Sequence, residues 1–129
     1  YPGMFKAGLC SYGVSNLFTL AMDTHKFEAH YNDFLIGQLP EAAERFQEWS
    51  PEYHADQIHD PLAIFQGSED KVVPPEQSER MVERLRANRV AHVYRLYEGE
   101  GHGFRKAETL IDYYRTAERF LREQVILRG

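Results

Sequence analysis

Two short segments hold the residues best suited to chemistry. One is Gly67-Ser68-Glu69-Asp70-Lys71-Val72-Val73-Pro74, with an acid near its middle. The other is Glu98-Gly99-Glu100-Gly101-His102-Gly103-Phe104, with a histidine between two glycines. A carboxylate facing an imidazole makes a general base. The acid accepts the Nδ1 proton, fixes the tautomer and steadies the imidazolium, and Nε2 is left to take a proton from a nucleophile. Asp70 and His102 are the candidates for acid and base. The glycines beside His102 give the backbone access to unusual angles and leave the ring unobstructed. Either segment alone reads equally well as a plain turn. Together, in this order and each behind a strand, they favour the catalytic reading.

The elements that must position them are legible from pattern. Ala7–Tyr12 is apolar and small, as in a strand covered closely on both faces. Leu62–Gln66 follows Pro61 and stops at Gly67, a continuous apolar run of the kind found in buried parallel strands. His92–Tyr97 mixes polar and apolar residues, which suits a strand nearer a sheet edge. Between the strands, Met81, Val82 and Leu85 share one helical face of Glu76–Asn88, and Pro74 and Pro75 stand just ahead of it, where proline does no harm. Leu110, Tyr114, Ala117, Leu121 and Val125 repeat at helical spacing over Thr109–Val125, with Thr109 and Asp112 placed as a capping box. Phe27–Ile36 and Glu41–Trp49 predict two short helices between the first two strands, punctuated by Gly37, Pro40 and Ser50-Pro51. Strands alternating with helices imply an α/β fold, a parallel sheet of about three strands flanked by helices. Catalytic groups of such sheets gather at the strands' C-terminal ends. Neighbouring strands lie roughly 5 Å apart, so Asp70 and His102 can meet if their strands pair.

These residues carry a resemblance. The run from Phe65 to Pro74 resembles the acid loop of the prolyl oligopeptidase family of serine peptidases, in which a strand leads through H-G-x-x-D to V-P. Gln66 stands here where the family often has His; it precedes the acid loop's glycine and need not touch the chemistry. The segment Glu98–Phe104 is similar to the family's histidine loop. Tyr12-Gly13-Val14-Ser15-Asn16, Asp23-Thr24-His25-Lys26-Phe27-Glu28 and Trp49-Ser50-Pro51 are similar to segments of its acylaminoacyl-peptidase and dipeptidyl-aminopeptidase branch. The resemblance spans nearly the whole chain. It implies the C-terminal part of an α/β-hydrolase catalytic domain over residues 1–129, with Asp70 as triad acid, His102 as base, and Val73 and Val14 helping to wall the pocket for the substrate side chain. It implies a peptide substrate and no cofactor.

The family's nucleophile is a serine in G-x-S-x-G on a strained strand-to-helix turn, expected ahead of Tyr1. Ser15 has Gly13 before it but Leu17 where the second glycine belongs, Ser11 has Leu9 before it, and Ser68 sits inside the acid loop. None has an elbow. The expectation is a parent serine peptidase that cleaves short peptides or acylated or dipeptidyl N-termini, with this chain supplying acid and base and inert alone. An esterase or dienelactone-hydrolase-like enzyme has a similar histidine loop, and a non-catalytic binding module derived from a hydrolase is the alternative of another class. In a complete hydrolase Ala7–Tyr12 pairs on one side with the nucleophile's strand. Its bare edge here predicts self-association, and the missing N-terminal part of the parent is its expected partner.

Bulk properties narrow the rest. The 129 residues are 43% hydrophobic and 27% charged, enough apolar material for one packed core. A formal net charge of −5, without a basic cluster, argues against nucleic acid. No apolar run reaches membrane-spanning length. Cys10 is the only cysteine; it reads as a small strand hydrophobe and fits a reducing, cytoplasmic compartment. Of the six histidines, His25 and His30 are five apart, as are His54 and His59, so neither pair matches a zinc-binding H-E-x-x-H helix. Phe34, Phe46 and Trp49 read as core, and Glu41, Glu44 and Glu48 as a solvated face.

Overall fold

The computed structural model describes residues 5–13 and 41–127. The three expected strands are β1 (Gly8–Ser11), β2 (Leu62–Gly67) and β3 (His92–Tyr97). They form one parallel sheet in the order β1-β2-β3. The register runs from Gly8↔Leu62 to Ser11↔Phe65 and from Leu62↔His92 to Gly67↔Tyr97. β2 is central because its residues are apolar on both faces: Ala63, Ile64, Phe65 and Gln66 are all buried. β1 is shorter than Ala7–Tyr12 and less covered than its small residues predict. It lies at the sheet's edge among the described residues, and Leu9 is 40% exposed.

Successive side chains of β2 point to opposite faces, so two cores form. On one face Ile64 packs with Ala55, Met81, Val82, Leu85 and Val90. These come from a 3-10 helix (Pro51–Gln57), from α2 (Glu76–Ala87) and from the turn after it. On the other face Ala63, Phe65 and Tyr97 pack with Phe120 of α3 (Ala107–Leu121). Each fully buried large apolar side chain contributes about 1.5–3 kcal/mol, so Phe65 and Leu85, both at zero exposure, fasten one helix layer each. Cys10 lies beside the first core; burial pushes its thiol up, against a smaller opposing effect of the Gly13 backbone.

Local chemistry sets the helix ends. α2 begins where Pro75, at φ −54, already has helical backbone. It ends as Arg89 turns left-handed at φ 57 and Val90 N–H reaches back to the Leu85 carbonyl at 2.9 Å. The expected helix at Glu41–Trp49 is α1 (Ala43–Trp49), anchored by the buried Phe46, and Glu41, Glu44 and Glu48 are exposed. The 3-10 helix was not foreseen from pattern: Ser50-Pro51 reads as the end of the preceding helix, and the segment buries only Glu52 and Ala55. The predicted Phe27–Ile36 helix lies outside the described residues.

The start of α3 departs from expectation. The capping box on Thr109 and Asp112 does not form, and the helix begins two residues earlier, at Ala107. Glu100, in the preceding loop, instead holds the backbone just ahead of the helix: its carboxylate accepts from Arg105 N–H at 3.2 Å and Lys106 N–H at 3.1 Å. No side chain caps the helix start, and Thr109 is a buried first-turn residue. Asp112 instead accepts from the Tyr97 hydroxyl at 2.8 Å. A π-helical turn, Arg122–Ile126, follows α3. No described helix is long and apolar enough to cross a membrane.

Candidate active site

The register pairs Gly67 with Tyr97, so the segments after β2 and β3 leave the same edge of the sheet side by side. They are then joined directly. Ser68 N–H donates to the Tyr97 carbonyl at 2.9 Å, and Glu69 N–H to the Glu100 carbonyl at 2.9 Å. Gly99 N–H donates to Ser68 Oγ at 2.8 Å. This approach requires Gly67: a Cβ there would stand 2.3 Å from the Glu100 carbonyl oxygen and 2.6 Å from that of Gly101. Of the two glycines beside His102, Gly103 takes a left-handed φ of 118 and Gly101 does not.

Asp70 and His102 meet at the top of these loops. Asp70 Oδ2 lies 2.8 Å from His102 Nδ1. The Asp70 side chain is wholly buried, while that of His102 is 37% exposed. A buried carboxylate must be hydrogen-bonded to persist as an anion, and this one is. Its Oδ1 accepts from Val72 N–H at 2.9 Å and Val73 N–H at 2.8 Å, and Gln66 Nε2 stands 3.4 Å from Oδ2. An ionised carboxylate only accepts, so Nδ1 carries the proton and Nε2 is the imidazole's free acceptor.

Gln66 is the residue whose place the sequence reading missed. It is at zero exposure and does touch the acid. Its Nε2 also donates to the Val73 carbonyl at 3.0 Å and stands 3.2 Å from that of Gly67, while its Oε1 accepts from the Ser78 hydroxyl at 2.8 Å. The orientation of the amide follows, since a flip would aim its oxygen at three other oxygens. Gln66 thus ties β2, the acid loop and α2 together. The signal was present as a polar residue inside an otherwise apolar buried strand.

Glu100 does the equivalent for the histidine loop. It is 3% exposed. Burial pushes its carboxyl up, but the Thr109 hydroxyl, the Lys106 and Arg105 backbone N–H groups and the Lys106 ammonium outweigh that and hold it below its ordinary value. Tyr12, at the end of β1, has its ring centroid 4.6 Å from that of His102, tilted by 55°.

The remaining candidates fall elsewhere. Val73 is buried and offers its main chain to Asp70 and Gln66; Val14 and Ser15 lie outside the described residues. Ser11 Oγ is 3.2 Å from the Tyr113 hydroxyl and Ser68 Oγ serves Gly99, so neither is bonded to His102 among the described residues. His54 Nε2 is 2.7 Å from the Glu48 carbonyl and His92 Nδ1 2.8 Å from that of Val90. Among the described residues no cluster of three or more His, Cys, Asp or Glu side chains could hold a metal ion.

A parallel sheet with helices on both faces, and loops meeting over its C-terminal edge, is part of an α/β-hydrolase fold. A Mycobacterium tuberculosis puromycin-hydrolyzing peptidase superposes with a TM-score of 0.90 at 40% identity, over 94% of this chain and 18% of that one. The prolyl oligopeptidase family model matches residues 1–127, and the chain belongs to that family. Dipeptidyl aminopeptidase BIII of Pseudoxanthomonas mexicana is 31% identical over 93% of this chain. Dipeptidyl peptidase family member 6 of Caenorhabditis elegans is 29% identical over 95% of it. The chain spans 18% and 17% of the length of these two relatives.

Proposed function

We propose that this chain is the acid-and-base part of a serine peptidase, and that its parent protein cleaves short peptides or acylated or dipeptidyl N-termini. The observation that carries the proposal is the 2.8 Å bond between buried Asp70 and half-exposed His102. Asp70 holds the Nδ1–H tautomer, and His102 Nε2 takes the proton of a serine hydroxyl as it attacks the scissile carbonyl. His102 then returns that proton to the leaving amine, and water repeats the cycle on the acyl-enzyme. Two backbone donors hold Asp70 in place against the ring throughout. In this reading Val73 and Val14 wall the subsite for the side chain beside the scissile bond. The choice of peptide over ester is supported by the relatives, which are named as peptidases. A cytoplasmic location fits the lone free thiol of Cys10.

The proposal places the nucleophile in the parent, outside these residues. The isolated chain is then expected to hydrolyse neither peptidyl amides nor p-nitrophenyl esters above background. It is also expected to self-associate through the edge of β1, which carries the exposed Leu9. Sedimentation and the two assays test both halves. A monomer, or turnover that vanishes with His102→Ala, would contradict the corresponding half. For the parent, the test is kcat/KM on dipeptidyl and acyl-aminoacyl amides against matched esters. Amide turnover abolished by His102→Ala is expected. Ester turnover alone would favour the esterase, and no turnover of either would favour a binding module.

A further inference from the structure

We propose that Tyr12 is a positioning residue for His102: its ring forms a shelf that holds the imidazole in line with Asp70. The proposal rests on the peptidase reading above. Three observations carry it.

The first is the backbone. Tyr12 has φ 45, left-handed, and besides it only Arg89 does so among the described non-glycine residues. Arg89 sits in the turn after α2, where such a conformation closes a helix. Tyr12 has no such reason, and the glycine next to it, Gly13, does not take a positive φ. The left-handed turn is made at the bulky residue although the permissive one stands beside it. Such strain persists where surrounding structure over-determines it, and it concentrates at functional sites.

The second is what the turn achieves. Tyr12 N–H is held to the Phe65 carbonyl at 2.6 Å, so the backbone is pinned to β2 while the side chain swings over the histidine loop. The ring centroid then lies 4.6 Å from the imidazole and 5.4 Å from Phe104.

The third is that the shelf has a foundation. Phe104 packs edge-on against Tyr97 at 5.0 Å and tilted against Tyr113 at 5.5 Å. Tyr113 in turn meets Phe65 edge-on at 4.7 Å. A continuous aromatic chain runs from the core of the sheet to the imidazole. Asp70 alone fixes one atom of His102 and leaves the ring free to rotate about that bond; a second ring packed against it at 55° restricts this freedom.

The test is a variant series in the full-length protein, read as kcat and KM separately on a peptidyl amide, with urea unfolding alongside. Tyr12→Phe keeps the ring and is expected to stay within about twofold of the parent. Tyr12→Leu keeps bulk and loses the ring; kcat is expected to fall about two- to twelve-fold, the worth of a tilted aromatic pair, with KM within twofold. Tyr12→Asn tolerates the left-handed backbone but has no ring. It should be as slow as Tyr12→Leu yet unfold at no lower urea concentration, a split that a merely structural tyrosine would not give. Parental kcat in Tyr12→Leu would overturn the proposal. So would Tyr12→Phe as slow as Tyr12→Leu, or a rise in KM at constant kcat. Asp70→Asn and His102→Ala run beside the series: if neither slows turnover, the peptidase reading itself has failed, and if both do while Tyr12→Leu is unaffected, only the shelf has.

Discussion

Replacing Gln66 by leucine removes one amide and leaves the volume of the site nearly unchanged, so the cost can be worked from its partners. The Gly67 carbonyl keeps the Asp70 N–H at 3.4 Å, and Asp70 Oδ2 keeps His102. The Val73 carbonyl and the Ser78 hydroxyl lose the partners they now have at 3.0 Å and 2.8 Å, in residues 6% and 3% exposed. A buried polar group left unpaired costs about 1–3 kcal/mol. Leucine is gained as apolar burial and the desolvation of the amide is no longer owed, an offset of about 1–2 kcal/mol. With two such groups the net expectation is a loss centred on about 2–3 kcal/mol, read as a lower urea midpoint at unchanged slope. Gln66→Glu sharpens the test. It sets a carboxyl against three oxygens, one of them on Asp70, so the folded state raises its pKa. Its stability is therefore fullest below the ordinary glutamate value of about 4.3 and falls as pH rises through the raised folded value. Gln66→Glu should be markedly less stable at pH 7 than at pH 5. A Gln66→Leu midpoint within about 0.5 kcal/mol of the parent, or a Gln66→Glu penalty equal at both pH values, would refute the hydrogen-bond assignment.

Two further outcomes follow from the same loops. Gly67→Ala places a methyl against backbone oxygens at 2.3 Å and 2.6 Å, which no rotamer relieves; the loops must part by about 1 Å, and kcat should fall on the order of a hundredfold, checked by steady-state kinetics. Glu100 has a lowered folded pKa, so its stabilisation is full above the ordinary glutamate value of about 4.3 and is lost as pH falls through the lowered one. Glu100→Gln should lose less stability than the parent between pH 5 and pH 3, measured by urea midpoints across that range.

Much of the fold was legible because its signals are local. Pro61 and Gly67 bound β2, the apolar run between them marks it as central, and Pro74-Pro75 announce α2. The meeting of Asp70 with His102 was accessible because parallel strands put successive loops on one edge. What escaped depends on groups distant in sequence. Thr109 and Asp112 have capping-box spacing, but the helix already begins at Ala107, and Glu100, from the preceding loop, holds the backbone just ahead of it. Gln66 looked like a bystander because its partners lie in the loop and in α2, at Val73 and Ser78. Tyr12 gave no sign of its contact with His102, since neither its φ nor that pairing follows from periodicity. The 3-10 helix at Pro51–Gln57 was hidden because Ser50-Pro51 reads as a stop and the segment has little apolar pattern of its own.

The central claim is that Asp70 orients His102 for general-base chemistry. It is met most directly by comparing Asp70→Asn with Glu69→Gln in the full-length protein on a peptidyl-amide substrate. Asparagine keeps the shape but presents an N–H to His102 and stabilises the wrong tautomer. kcat should therefore fall on the order of 10⁴-fold with KM nearly constant, while Glu69→Gln stays close to the parent. Undiminished turnover in Asp70→Asn, with the loss appearing in Glu69→Gln instead, would contradict the account.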